Sequence, residues 1–240
     1  SGANLTKENQ EKLRKLNSEL SLLSLKYGDN LLAETNAYEM IIEKQEDLAG
    51  LPQEIIDAAA VDAKAKNKEG KWLFTLSNSS VMPFLQYSSK RELRQTLFNA
   101  YQKRGNNDND KDNKETVRKI ANLRMEKAQL LGYKNHAAYV LEESMAKTPQ
   151  TVNGLLEKLW IPALAKAKVE ASDIAEMMRK EGINEDVTPA DWRFYAEKIR
   201  KERYNLDEQE MKPYFSIDNV RDGIFKVTEN LYGLKFKQVT

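Results

Sequence analysis

His136 is the only imidazole in the chain, and there is no cysteine. A hydrolytic zinc centre takes about three nitrogen or carboxylate ligands from the protein, and the usual arrangement sets two histidines four apart on one helical face. Without a second histidine, His136 could serve only as a lone ligand or a general base. The simpler reading, which we prefer, is a polar residue near a helix start. Glu142 and Glu143 follow within one or two turns and read as solvated helix charges. No catalytic, cofactor-binding or metal-binding residue is therefore assigned within these 240 residues.

Other chemistries fail on spacing. Asp108-Asn109-Asp110-Lys111-Asp112 imitates the opening of a calcium loop, but Asn113 stands at the sixth position, which needs glycine, and Lys119 at the twelfth, which needs a bidentate glutamate. A mobile surface loop is expected instead. Gly70-Lys71 is followed by Trp72 and has no upstream glycine at the spacing of a phosphate-binding loop. No serine stands in a nucleophile elbow. The aromatic group Trp192, Phe194, Tyr195, Tyr204, Tyr214 and Phe215 could line a peptide groove, although helical spacing favours core packing for Trp192 and Tyr195.

The elements that must position these residues are mostly helices. Leu13, Leu16, Leu20, Leu23 and Tyr27 recur at spacings of three and four, which predicts a helix over 5–27 ending at Gly28. Residues 38–43 and 72–76 are β-branched or aromatic and bounded by turn formers, so they read as a pair of strands flanking a helix over about 52–68. Ser89 and Glu92 form a capping-box pattern ahead of Leu93, Leu97 and Tyr101. Further helices are expected over 117–131, over 135–145 and from Thr148-Pro149 to Gly182 with a kink at Pro162. Two more should start at Thr188-Pro189, burying Trp192, Tyr195 and Ile199, and near Ser216. Leu234 and Phe236 alternate with lysines, as at the start of a half-buried strand that is still running at Thr240. The expected fold is mainly α, a multi-helix domain over 1–240 with a small two-stranded β element and no internal linker.

Composition narrows the function further. A chain of 240 residues with 40% hydrophobic residues can bury a sizeable core. Lysine plus arginine (38) nearly cancels aspartate plus glutamate (37), and the signs are interleaved, so no one-sign field marks a nucleic-acid or anionic-lipid partner. No run approaches the roughly 20 apolar residues that span a bilayer, which argues against a membrane partner. The lack of cysteine fits a reducing, cytoplasmic location. Ser1 reads as a cloning remnant or the product of processing.

One run is more specific than any of these signals. Thr188-Pro189-Ala190-Asp191-Trp192-Arg193-Phe194-Tyr195 and Met211-Lys212-Pro213-Tyr214-Phe215-Ser216 stand close together. They are joined upstream by Gly132-Tyr133-Lys134-Asn135-His136 and Met145-Ala146-Lys147-Thr148-Pro149. With Leu48-Ala49-Gly50-Leu51-Pro52 and the segment from Arg94 to Arg104, this sequence resembles the thimet oligopeptidase family of zinc metallopeptidases, most closely its bacterial peptidyl-dipeptidase members. The resemblance covers nearly the whole chain. It implies helical walls beside a narrow channel in a larger, two-lobed peptidase that admits short unfolded peptides. It also implies zinc held by a later His-Glu-x-x-His helix that this sequence does not contain. The chain is then expected to be an inactive portion of a longer metallopeptidase that binds no zinc itself, whose exposed apolar helix faces favour self-association. The alternative is a stand-alone helical protein-interaction module.

Overall fold

The computed structural model describes residues 2–205 and 208–239. The readings placed on Ser1 and Thr240 lie outside them. In chain order the elements are α1 (Lys7–Ala37), β1 (Met40–Ile42), α2 (Gln53–Ala65), β2 (Trp72–Phe74), α3 (Asn78–Tyr87), α4 (Arg91–Gln102), α5 (Lys114–Leu130), α6 (His136–Leu141), α7 (Pro149–Lys180), α8 (Pro189–Tyr204), α9 (Glu208–Met211) and α10 (Ile217–Tyr232). The fold is mainly α with one small antiparallel sheet. The chain separates into two compact units, Ser1–Ala196 and Glu197–Thr240.

In the first unit, β1 and β2 pair antiparallel with Met40 opposite Phe74 and Ile42 opposite Trp72. A two-stranded ribbon is marginal alone, so it depends on the apolar face it shares with helices. That face belongs to the principal core, where Ile42, Leu48, Phe74, Val81, Phe84 and Leu97 are buried together. The Phe74 and Phe84 rings meet edge to face at 4.6 Å, tying the sheet to α3. α3 has no counterpart in the sequence expectation, and Pro83 lies inside it. The proline removes one amide donor, and the burial of Val81, Phe84 and Leu85 outweighs that loss.

Several boundaries differ from the sequence expectation. α1 does not stop at Gly28 but continues to Ala37. A glycine inside a helix costs about 1 kcal/mol, and α1 meets that cost by packing along α5 and through Asn30, which is buried and donates to Asn113 Oδ1 at 3.0 Å. The Ser89 capping box does not form. Ser89 N donates to Ala49 O at 2.8 Å, which draws it away from the helix start, so Lys90 occupies the cap position without a side-chain bond. α6 ends at Leu141 rather than Met145. α7 runs from Pro149 to Lys180 with Pro162 inside it, within the expected span. Residues 234–239 are not a strand, since no other strand among the described residues lies beside them; Phe236 stacks on Phe225 instead, with centroids 4.4 Å apart.

Three helix starts agree with their sequence signals. Thr148 Oγ1 accepts from Thr151 N at 3.2 Å with Pro149 in the first turn, and Ser216 Oγ accepts from Asn219 N at 3.3 Å. The third, at Thr188, belongs to the site described below.

Gly50 is held at φ +87°, and a methyl group on its Cα would run into the Tyr87 carbonyl and the Ser89 hydroxyl and amide. The strand-to-helix connection therefore requires glycine on both conformational and steric grounds. Gly50→Ala is expected to lower stability by more than about 1 kcal/mol, seen as a fall in the midpoint of chemical denaturation. Gly70→Ala is the comparison: its backbone is equally left-handed at φ +83°, but no atom lies within 4 Å of the added carbon, so a smaller fall is expected.

Candidate functional site

The most highly connected polar centre joins the start of α4 to the start of α8. Arg91 and Arg94 are three apart, so one face of α4 presents both guanidinium groups. Asp191 sits in the first turn of α8, where the positive helix end favours a carboxylate. Its Oδ1 accepts from Arg91 Nε at 3.0 Å and Arg94 Nη2 at 3.1 Å. Its Oδ2 accepts from Arg91 Nη2 at 3.0 Å, from Thr188 N at 3.0 Å and from the Thr188 hydroxyl at 2.7 Å. Thr188 thus donates twice to the Asp191 side chain, and two arginines from a distant helix are added to that pair.

Burial alone would raise the Asp191 pKa, but the bonds from Arg91 and from the Thr188 hydroxyl and amide bring it down to about 2. The Arg91 pKa is raised, chiefly by its bond to Asp191, whereas desolvation lowers that of Arg94. Arg94 is 1% exposed, donates to Ser88 O at 2.8 Å and lies 4.0 Å over the Phe194 ring, while its Nε has no partner. Tyr195 is buried beside it and donates to Glu181 at 3.1 Å; desolvation and that carboxylate push its pKa to about 12. A carboxylate with five donors and so low a pKa is a poor base at neutral pH. Chemically, the centre is a clamp between two helices.

His136 sits at the first position of α6, behind Asn135, whose side chain accepts from Ala138 N at 2.9 Å. Its Nδ1 is buried with no partner. Desolvation lowers its pKa, and the charges of Arg124 and Lys127 lower it further. Glu142 is taken up by the Tyr133 hydroxyl. Among the described residues, no three histidine, cysteine, aspartate or glutamate side chains gather in a group that could hold a metal ion. One imidazole facing two cations, with the nearby carboxylate engaged by a phenol, does not fit a hydrolytic zinc centre.

The calcium-like loop is tied down by a residue from far upstream. Glu34 of α1 accepts from the Gly105 amide, from Asn107 Nδ2 at 2.9 Å and from Asn109 Nδ2 at 2.8 Å. Asp112 accepts from Asp108 N at 3.0 Å and Lys114 N at 2.8 Å, so its oxygens already serve backbone donors. Nothing in the local pattern of residues 105–113 pointed to Glu34.

The aromatic group divides. Phe194 and Tyr195 are buried and Trp192 and Ile199 are half-buried, whereas Tyr204, Tyr214 and Phe215 are exposed. The expected α8 core face is therefore present, with Phe194 in place of Trp192 as its second buried ring. Among the described residues no helix is long and apolar enough to cross a membrane.

Comparison with known proteins bears on the family of the chain as a whole. Residues 84–240 match the model of Peptidase family M3. The chain is 31% identical over 236 residues to the dipeptidyl carboxypeptidase of Escherichia coli (strain K12), a match covering 98% of this chain and 35% of that protein. It is 33% identical to the probable cytosolic oligopeptidase A of Arabidopsis thaliana, covering 98% of this chain and 34% of that protein. It is 30% identical to the probable thimet oligopeptidase of the same plant, covering 100% of this chain and 32% of that protein. The chain spans about a third of the length of the curated relatives it matches. Since the family model extends over well more than half of its residues, from the end of α3 through α10, the chain belongs to peptidase family M3.

Proposed function

We propose that the parent polypeptide is a zinc-dependent peptidyl-dipeptidase or oligopeptidase that hydrolyses short unfolded peptides. In it, these 240 residues form a helical wall of the substrate channel. Membership of family M3 is the observation that carries this reading. The first half of α7 supports it, because Leu155, Leu156, Leu159, Trp160 and Ile161 are all exposed, and apolar surface on that scale calls for further polypeptide to cover it. Zinc, when bound, would polarise the scissile carbonyl and lower the pKa of an attacking water. The ligand inventory of this chain supplies no such centre, so we place the metal and the bond-breaking step on residues outside it. The role left to this chain is to shape the channel. Nucleic acid and membrane are not partners in this reading. The location is cytoplasmic, supported by the absence of cysteine and by the name of the plant oligopeptidase A relative.

A side-by-side assay tests it. The 240-residue chain and the longer polypeptide of its gene would each be offered a short peptide, with dipeptide release followed by mass spectrometry and bound zinc measured by elemental analysis. The longer polypeptide should cleave and should stop on addition of a chelator, while the 240-residue chain should neither turn over nor carry stoichiometric zinc. Turnover with stoichiometric zinc in the 240-residue chain would overturn the assignment.

A further inference from the structure

The contact between α5 and α6 holds the one imidazole of the chain in a setting that suits its neutral form. Tyr139 of α6 stands at the centre: its ring meets Tyr133 edge to face at 5.3 Å, lies 6.2 Å from the His136 ring and has Lys127 Nζ 5.6 Å from its centroid. One ring thus gathers a cation of α5 and the imidazole of α6. Arg124, one turn before Lys127 on the same face of α5, is the other charge that acts on His136. The imidazole is partly buried, and its Nδ1 is fully covered with no hydrogen-bond partner. In an imidazolium both ring nitrogens carry hydrogen, so protonation would bury an Nδ1–H that meets no acceptor.

Among the described residues no carboxylate pairs with this ring to offset a third positive charge. On α5, Glu126 lies off the face that Arg124 and Lys127 share. The connection from α5 to α6 adds Lys134, and the first turn of α7, Pro149 to Val152, carries no charged side chain. Of the carboxylates that follow α6, Glu142 accepts from the Tyr133 hydroxyl and Glu143 is exposed to solvent. The Tyr139 ring could steady a cation, but Lys127 already stands closer to it than the imidazole does, and the imidazole is tilted by 45°.

We propose that the seat of α6 on α5 is an acid-opened latch, closed while His136 is neutral and released when it takes up a proton beside Arg124 and Lys127. The sign follows from which form the closed seat favours. Desolvation, and after it the two cations, hold the His136 pKa below its ordinary 6.5, whereas in an opened segment the imidazole is solvated and returns to that value. The open form therefore binds the proton more readily. The latch is fully closed above about pH 6.5 and weakens as the pH falls through the folded-state value. Glutamates titrate lower, near about 4.3, which keeps their effect apart from this one. α6 also packs on α7, whose buried side chains, Ile174 and Met178, lie near its other end, so opening the latch loosens the start of α7 as well.

A single histidine makes the test direct, because the nuclear magnetic resonance spectrum of the 240-residue chain holds one imidazole Cε1–H signal. Its titration midpoint should lie below 6.5, and replacing both cations, Arg124→Gln with Lys127→Gln, should raise it. Between about pH 7.5 and about pH 5.5, above the carboxylate range, the cross-peaks of the Tyr139 ring with Tyr133 and Lys127 should weaken with the same midpoint as the imidazole signal. The α6 amides should lose hydrogen-exchange protection alongside, while the amide of Ala128, 0% exposed in α5, keeps its own. His136→Gln should abolish the response. Titration of the unaltered chain decides the matter even where a variant fails to fold. The latch is overturned by cross-peaks that persist while the imidazole protonates, by a midpoint at or above 6.5 or one indifferent to loss of both cations, by a response that survives His136→Gln, or by equal loss of protection at Ala128.

Discussion

Asp191→Ala lowers the stability of the first unit by about 3–5 kcal/mol, because it leaves the Arg94 guanidinium buried without its counter-charge. The Asp191 side chain is fully buried and Arg94 nearly so, and they are bonded at 3.1 Å. The Arg94 Nε already lacks a partner, so the site has no spare acceptor to take up a second loss. The midpoint of thermal unfolding should fall on the order of 10 °C. Replacing both partners with apolar side chains, Arg94→Met with Asp191→Leu, should do less damage than Asp191→Ala alone, since neither buried charge then remains. A pair of independent, additive losses would show that the two side chains do not act together.

The same centre makes stability depend on acid. The Asp191 pKa is depressed to about 2 from an ordinary 3.8, so the folded state holds its proton less readily than the unfolded chain does. Its contribution is complete above about pH 4 and disappears as the pH falls through about 2, amounting to about 2 kcal/mol. Denaturation midpoints of the parent and of Asp191→Ala should therefore converge between pH 4 and pH 2. A gap that stays constant across that window would rule out this carboxylate as the source.

Phe84→Ala ranks with it in expected size. Phe84 is 0% exposed, meets Phe74 edge to face at 4.6 Å and stands where α3 covers the two-stranded sheet. Removing the ring opens a cavity in the principal core and costs about 3–5 kcal/mol. A ribbon of two three-residue strands has little stability of its own, so its amides should lose hydrogen-exchange protection well before those of α5. Equal loss of protection in both elements would mean that the first unit unfolds as one block, with no special role for this contact.

Much of the architecture was legible in the chain, and particular residues show why. Leu13 and Leu16 announced α1, Thr148-Pro149 the start of α7, Thr188-Pro189 the start of α8 and Ser216 that of α10, because each signal acts within one or two helical turns. The strand pair was read from β-branched and aromatic clusters and is present, although shorter at both members. Misreadings arose where a distant contact outweighed a local preference. Gly28 is locally a stop signal, but α5 carries α1 through it. Ser89 looked like a cap until Ala49 claimed its amide. Leu234 and Phe236 alternated like a strand but found no ladder to join.

The candidate site divides along the same line. The inventory of one imidazole and no thiol is a property of composition, readable without coordinates, and it bounds the metal chemistry this chain can support on its own. The helix start at Thr188-Pro189, which sets Asp191 in the first turn, was also visible. That Arg91 and Arg94 converge on the same carboxylate, and that Glu34 holds the 105–113 loop, was decided only by the tertiary structure. Asp191 lies 100 and 97 positions from Arg91 and Arg94, and Asn109 lies 75 from Glu34; a bond across such a separation depends on how whole helices pack rather than on any spacing written along the sequence.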